Sequence, residues 1–135
     1  MKYISAEQFL QADKKVQEAI LDWWEPEQCD LVESNGTYCV IDALVNAINC
    51  SSINLYNDGN NTFNKTEVIP LLTEGQLREF IEDITGSVIE IFFDIYNKYC
   101  FNLIDIINYK TFETDERDLL QAYWKVTNEI ISNKN

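Results

Sequence analysis

The residues of this chain with the greatest chemical capacity are four cysteines, Cys29, Cys39, Cys50 and Cys100, and 23 Asp and Glu side chains. Cysteine catalysis needs a thiolate, drawn out by a histidine or a positive field. The chain has no His and a formal net charge of −13, so its field raises thiol pKa values rather than lowering them. The cysteines are therefore read as reduced, buried structural thiols. Their separations of 10, 11 and 50 residues also differ from the closely paired ligands of zinc sites. Carboxylates are the natural ligands of hard cations. The one stretch with a superficial likeness to a calcium loop, Asn57-Asp58-Gly59-Asn60-Asn61, lacks the alternating ligand register and the closing Glu, and reads as a plain turn. Four glycines, none clustered, offer no phosphate cradle. No catalytic residue, cofactor site or metal site is expected, and the chain is read as a non-enzyme.

Ten Lys and Arg against 23 acids, with an isoelectric point near 4.2, exclude direct nucleic-acid binding and an anionic membrane surface. The opening MKYISAEQFL has no long apolar stretch, and no segment approaches the roughly 18 to 20 apolar residues of a membrane span. A soluble, cytoplasmic protein is expected. With 135 residues and 46% hydrophobic content, residues 1–135 are enough for one domain with a real core.

The elements follow from caps and periodicity. Ser5 followed by Gln8, with Ile4 and Phe9 as a staple, predicts a helix over 6–11. Asp13, then Val16, Ile20 and Trp23 or Trp24, predicts another over 14–24, closed by Pro26. Asp30–Glu33 and Tyr38–Ile41 flank Ser34-Asn35-Gly36-Thr37, a hairpin signal. Asp42–Ile53 fits either a helical face or a continuing strand. Asn54–Asn64 reads as a polar loop or hairpin tip. Thr73 with Gln76 caps a helix that Gly86 ends. Ser87–Tyr96 and Tyr99–Ile107 read as strands around an Asn97-Lys98 turn, and Thr114 is expected to cap a closing helix over 117–131. The fold class predicted is α+β: a small antiparallel sheet built from hairpins, covered on one face by N-terminal, middle and C-terminal helices. Trp23, Trp24 and Trp124 fall at helical core positions as packing anchors.

The uncovered face of that sheet carries the candidate site. Ile89, Ile91, Phe93 and Ile95 share one side of the strand, and Glu90, Phe92, Asp94 and Tyr96 the other. Acids mixed with aromatics suit either a solvent-exposed face or a partner-binding surface. The dense run Glu113, Asp115, Glu116 and Asp118 is the second part. It either serves a helix N-terminus or imitates the charge of nucleic acid toward a basic groove.

Three segments, ISAEQFLQADKKVQEAILDWWEPEQCDLV, VIPLLTEGQLREFIEDITG and RDLLQAYWKVTNEI, resemble a set of small uncharacterised proteins encoded by phages and prophages of Gram-positive bacteria, in which similar segments occur in the same order. The resemblance implies a phage accessory protein that binds and inhibits a host protein, such as a CRISPR nuclease or another nucleic-acid-handling defence factor. It carries over no catalytic residues. The alternative is a small-ligand binding module with a pocket between sheet and helices, for which Lys65, Arg78, Lys98, Lys110 or Arg117 would have to converge on an anionic ligand.

Overall fold

The computed structural model describes residues 2–47, 50–55 and 58–133, with side chains described outside 42–62. Its first helix, α1 (Ala6–Gln11), starts as its cap dictates. Ser5 Oγ accepts from the Gln8 backbone N–H at 3.1 Å, and Gln8 Oε1 accepts from the Ser5 N–H at 3.4 Å. Ile4 and Phe9, on either side of the cap, are both buried. In α2 (Lys14–Trp23), Asp13 occupies the N-cap without a side-chain capping bond. Its carboxylate instead accepts from Ser132 Oγ, at the far end of the chain.

Strands β1 (Leu31–Ser34) and β2 (Thr37–Ala47) form the expected hairpin, with Asn35 and Gly36 both at positive φ, 51° and 79°. This backbone matches the twist of tight hairpins and favours Asn-Gly. The ambiguity over Asp42–Ile53 resolves as strand: β2 runs to Ala47, and β3 (Cys50–Leu55) returns along it. Ile48 and Asn49, within that stretch, lie outside the described residues.

Of the two readings of the Asn-rich stretch 54–64, loop or hairpin tip, the structure takes the hairpin, with more of it in strand than a tip would hold. Strand β4 (Asp58–Asn64) pairs with β3, and Leu55 faces Asp58; Tyr56 and Asn57 lie outside the described residues. Asp58–Asn61, read as a turn, belong to that strand. Backbone pairing overrides their low strand propensity. A 3₁₀ turn at Lys65–Glu67 follows, and Ile69–Pro70 (β5) pairs with β1 at the sheet edge, where a residue without an N–H is tolerated. The resulting antiparallel sheet has the order β4-β3-β2-β1-β5.

Helix α3 (Glu74–Thr85) carries the full Thr73–Gln76 capping box and ends at Gly86 with φ 66°. It leads into a second antiparallel sheet, ordered β6 (Val88–Phe93), β7 (Tyr99–Ile104), β8 (Tyr109–Glu113). Two corrections fall here. The first strand stops at Phe93 rather than Tyr96, and the second at Ile104 rather than Ile107, because Asp94 and Asp105 each fold the chain into a turn. Strand β8 was not expected at all. The closing helix α4 (Leu119–Ser132) is capped by Asp118, whose carboxylate accepts from the Gln121 N–H at 3.0 Å, and not by Thr114. Thr114 is buried and donates to the Tyr99 carbonyl at 2.6 Å, finishing the sheet.

The fold is α+β. Its main core lies between the helices and one face of the three-stranded sheet, around Val16, Ile20, Leu77, Phe80, Phe101 and Tyr123. A smaller cluster of Trp24, Val32, Cys39, Ile41 and Val68 underlies the five-stranded sheet, and Leu21 and Trp23 touch both. The tryptophans are packing anchors: Trp24 and Trp124 are buried, and Trp23 meets Phe80 edge-on at 5.3 Å. No helix among the described residues is long and apolar enough to cross a membrane.

Removing the Thr73 hydroxyl leaves an orphan N–H at the start of α3. Thr73→Ala is expected to lower stability by about 1 kcal/mol, measured by urea unfolding.

Candidate protein-binding face

Alternation along the three-stranded sheet decides what each face shows. Ile89, Ile91, Phe101, Leu103 and Phe112 point to the helices and join or pack on the core. The opposite face is built in rows by register. Glu90, Asn102 and Thr111 form one row, because they are paired residues across the three strands. Asn102 Nδ2 donates to Glu90 Oε1 at 2.8 Å, and Thr111 Oγ1 donates to Asn102 Oδ1 at 2.7 Å. Asn102 is buried with its side-chain groups used, so this row is rigid.

The neighbouring row is Phe92, Cys100 and Glu113. Cys100 is buried in the middle strand, and burial first, then the charges of Asp94 and Glu113, push its thiol pKa up. The third row, Val88, Ile104 and Tyr109, exposes Val88 and Tyr109.

Both turns of the sheet present apolar side chains on a fixed backbone. At Asp94–Lys98 the Asp94 carboxylate accepts from the Tyr96 and Lys98 N–H groups at 2.8 and 3.0 Å, and Asn97 adopts φ 60°. Ile95 and Tyr96 project into solvent. At Asp105–Asn108 the Asp105 carboxylate accepts from the N–H groups of Asn108 and Ile107, which lower its pKa, and Ile106 and Ile107 are exposed at the tip. Ten large apolar side chains are exposed among the described residues. Eight lie on this sheet and its turns, and only Leu10 and Tyr38 lie elsewhere.

The expected site residues therefore divide. Glu90, Phe92 and Glu113 share the outer face, and Asp94 is close enough to Cys100 to act on its thiol. Asp94 and Tyr96 are turn residues rather than strand-face residues, because β6 ends before them. Asp115, at φ 58°, pairs with Lys98, with Lys125 and Arg117 also lowering its pKa. Asp118 spends its carboxylate on the α4 cap and on Lys2 at 3.1 Å. Glu116 lines a cleft between α1 and α4 with Gln8, Gln11, Gln121 and Lys125, apart from the sheet face. The dense acidic run is thus partly neutralised by cations distant in sequence, and Asp115 and Asp118 act as structural anions. Sequence reasoning missed Ile106, Ile107 and Tyr109. The signal was Asp105-x-x-Asn108, a side-chain-closed turn.

The five cations that a pocket for an anion would need do not converge on one pocket, and the two that come near each other, Lys98 and Arg117, both act on the Asp115 carboxylate. Lys65 donates to the Leu21 and Trp24 carbonyls, Arg78 pairs with Glu82, Lys98 with Asp115, and Lys110 lies over the Phe112 ring. A cleft of about 300 Å³ between the sheet and the ends of α3 and α4 is lined by one of them, Lys110, beside Asp105. Among the described residues no three His, Cys, Asp or Glu groups gather to hold a metal ion. Cys29 is exposed, contrary to expectation, because it sits at φ 74° in the turn before β1; Cys39 and Cys100 are buried free thiols. The Cys50 side chain lies outside those described. No family model, curated protein or solved structure matches the chain.

Two outcomes follow. Alkylation mapped by mass spectrometry is expected to modify Cys29 well before Cys100 in the folded protein at neutral pH. Asp105, Asp115 and Asp118 have folded pKa values below their unfolded ones. Their contribution is present above the unfolded value of about 3.9 and lost as pH falls through the folded values. Thermal stability is therefore expected to drop below about pH 4, and Asp118→Asn to reduce the size of that drop.

Proposed function

We propose that this chain acts by binding another protein through the outer face and turns of its three-stranded sheet, without catalysis. The observation that carries this reading is the gathering of seven exposed large apolar side chains, Phe93 aside, on the outer face and turns of one small sheet, with Glu90, Asp94, Asp105 and Glu113 among them. Apolar anchors give affinity when buried at an interface, while surrounding charges set orientation and partner choice. The matching surface is an apolar patch rimmed by Lys and Arg. Basic patches of that kind belong to proteins that handle nucleic acid, which agrees with the resemblance to phage accessory proteins. On that reading the chain is a phage-type inhibitor of a host defence factor, working in the bacterial cytoplasm.

Rigid anchors favour this use. The Asp94 and Asp105 turns hold Tyr96, Ile106 and Ile107 in place before binding, so little ordering is lost on contact. The small-ligand alternative has less support, since the cleft beside Lys110 brings a single cation together with a carboxylate.

The test is capture from a bacterial host lysate on the immobilised protein, at about 0.05 and 0.5 M salt, with Phe92→Ala and Tyr96→Ala in parallel. A specific protein bound by the native chain, weakened by salt and by both substitutions, is the expected result. Binding unaffected by the substitutions would overturn the assignment of this face.

A further inference from the structure

Beyond the partner-binding reading, and independently of it, the backbone of β6 carries its own information. Asp94 N–H donates to the Lys98 carbonyl, and the ladder pairs Phe93 with Tyr99 without a shift in register. In an antiparallel pair, hydrogen-bonded and non-bonded positions alternate. Residues 88, 90 and 92 therefore direct their N–H and C=O groups to β7, and Ile89, Ile91 and Phe93 direct theirs away from it. The other side of β7 obeys the same parity: both Tyr99 backbone groups are used toward residues 114–116. Among the described residues, strand β6 pairs with no strand besides β7.

We propose that this edge pairs with the same edge of a second copy, antiparallel, with the two-fold axis at Ile91. The outward-directed residues then meet one another: Ile91 faces Ile91, and Ile89 faces Phe93 of the second copy. Both pairs lie on the core side of the sheet. They are apolar throughout, and Phe93, 57% exposed in one chain, gains a partner. On the outer side Glu90 faces Phe92, so no two carboxylates stand directly opposite. An axis at Glu90 is excluded twice, since it would oppose two like charges and use backbone groups already committed to β7. Axes at Ile89 or Phe93 keep the parity but run off the end of the strand. The other edge of this sheet, β8, carries Lys110 and Glu113 within five residues, the kind of charged edge that resists pairing, whereas Val-Ile-Glu-Ile-Phe-Phe does not. The two three-stranded sheets join into one of six strands.

Each copy carries −13, so association is opposed by long-range repulsion that salt screens. Sedimentation velocity over a concentration series is expected to show a monomer–dimer equilibrium that strengthens from about 0.05 to 0.5 M salt. Hydrogen exchange is expected to slow with concentration at the amides of Ile89, Ile91 and Phe93, and not at Tyr109, Thr111 and Glu113. Ile91→Pro removes an outward N–H and no bond to β7. Phe93→Glu changes an exposed side chain and covers the case in which the proline variant fails to fold. Either is expected to weaken self-association about tenfold or more. A monomer at every concentration and both salts, dimerisation unchanged in Phe93→Glu, or protection appearing on β8 would overturn the proposal. A monomeric result would leave the partner-binding face intact, because Phe92→Ala and Tyr96→Ala report on it separately.

Discussion

The packing of α4 across the inner face of β7 is the contact on which the rest of the architecture depends. Tyr123 meets Phe101 edge-on at 4.9 Å, and the stripe of Leu120, Ala122, Val126 and Ile131 seals α2 and α3 to the same layer. A three-stranded sheet is too small to be stable unless one face is covered. Once helices occupy that face, the other must meet water or another protein. The exposure of Val88, Phe92 and Tyr109 on it is therefore a property of the layer arrangement, whereas Ile95, Tyr96, Ile106 and Ile107 are exposed because the turns that close the strands carry them.

Negative charge takes three physical forms in the molecule. Some acids hold backbone, as Asp94, Asp105 and Asp118 do. Some are matched to cations across the chain, as Asp115 is to Lys98. The remainder, including Glu90 and Glu113, stay on an exposed face, where their field acts outward. A net charge counted from composition merges these classes, although only the last contributes to recognition at a distance.

Local rules were enough for most of the helical framework. The capping boxes at Ser5 and Thr73, the Asn35-Gly36 turn and the stop at Gly86 each rest on contacts within four residues, so the order of amino acids displays them. What the order concealed was non-local. Strand β4 is stabilised by pairing with β3 rather than by its own propensity, so the Asn-rich composition of 58–64 pointed to a loop or hairpin tip, and Tyr109–Glu113, a strand-favouring but short run, was passed over because its pairing with β7 is what defines it. Asp118 displaced Thr114 as the cap because Thr114 is drawn into the end of the sheet by Tyr99. The site was half visible for the same reason. Alternation placed Glu90 and Phe92 on one face, but the ends of the strands, set by Asp94 and Asp105, decided which side chains became turn residues.

Gln76 joins the two halves of the molecule. Its carboxamide oxygen accepts from the Thr73 N–H at 3.0 Å to open α3, while its nitrogen donates at 3.2 Å to Asp30, which also receives the indole N–H of Trp24. One side chain thus belongs to a local cap and to a contact spanning 46 residues. The Asp30 carboxylate, shared between Gln76 and Trp24, links the opening of α3 to the position of Trp24 in the smaller core. Together with Leu21 and Trp23, which touch both clusters, that shared carboxylate ties the smaller core to the larger one and favours loss of structure as one cooperative event over the separate melting of two units.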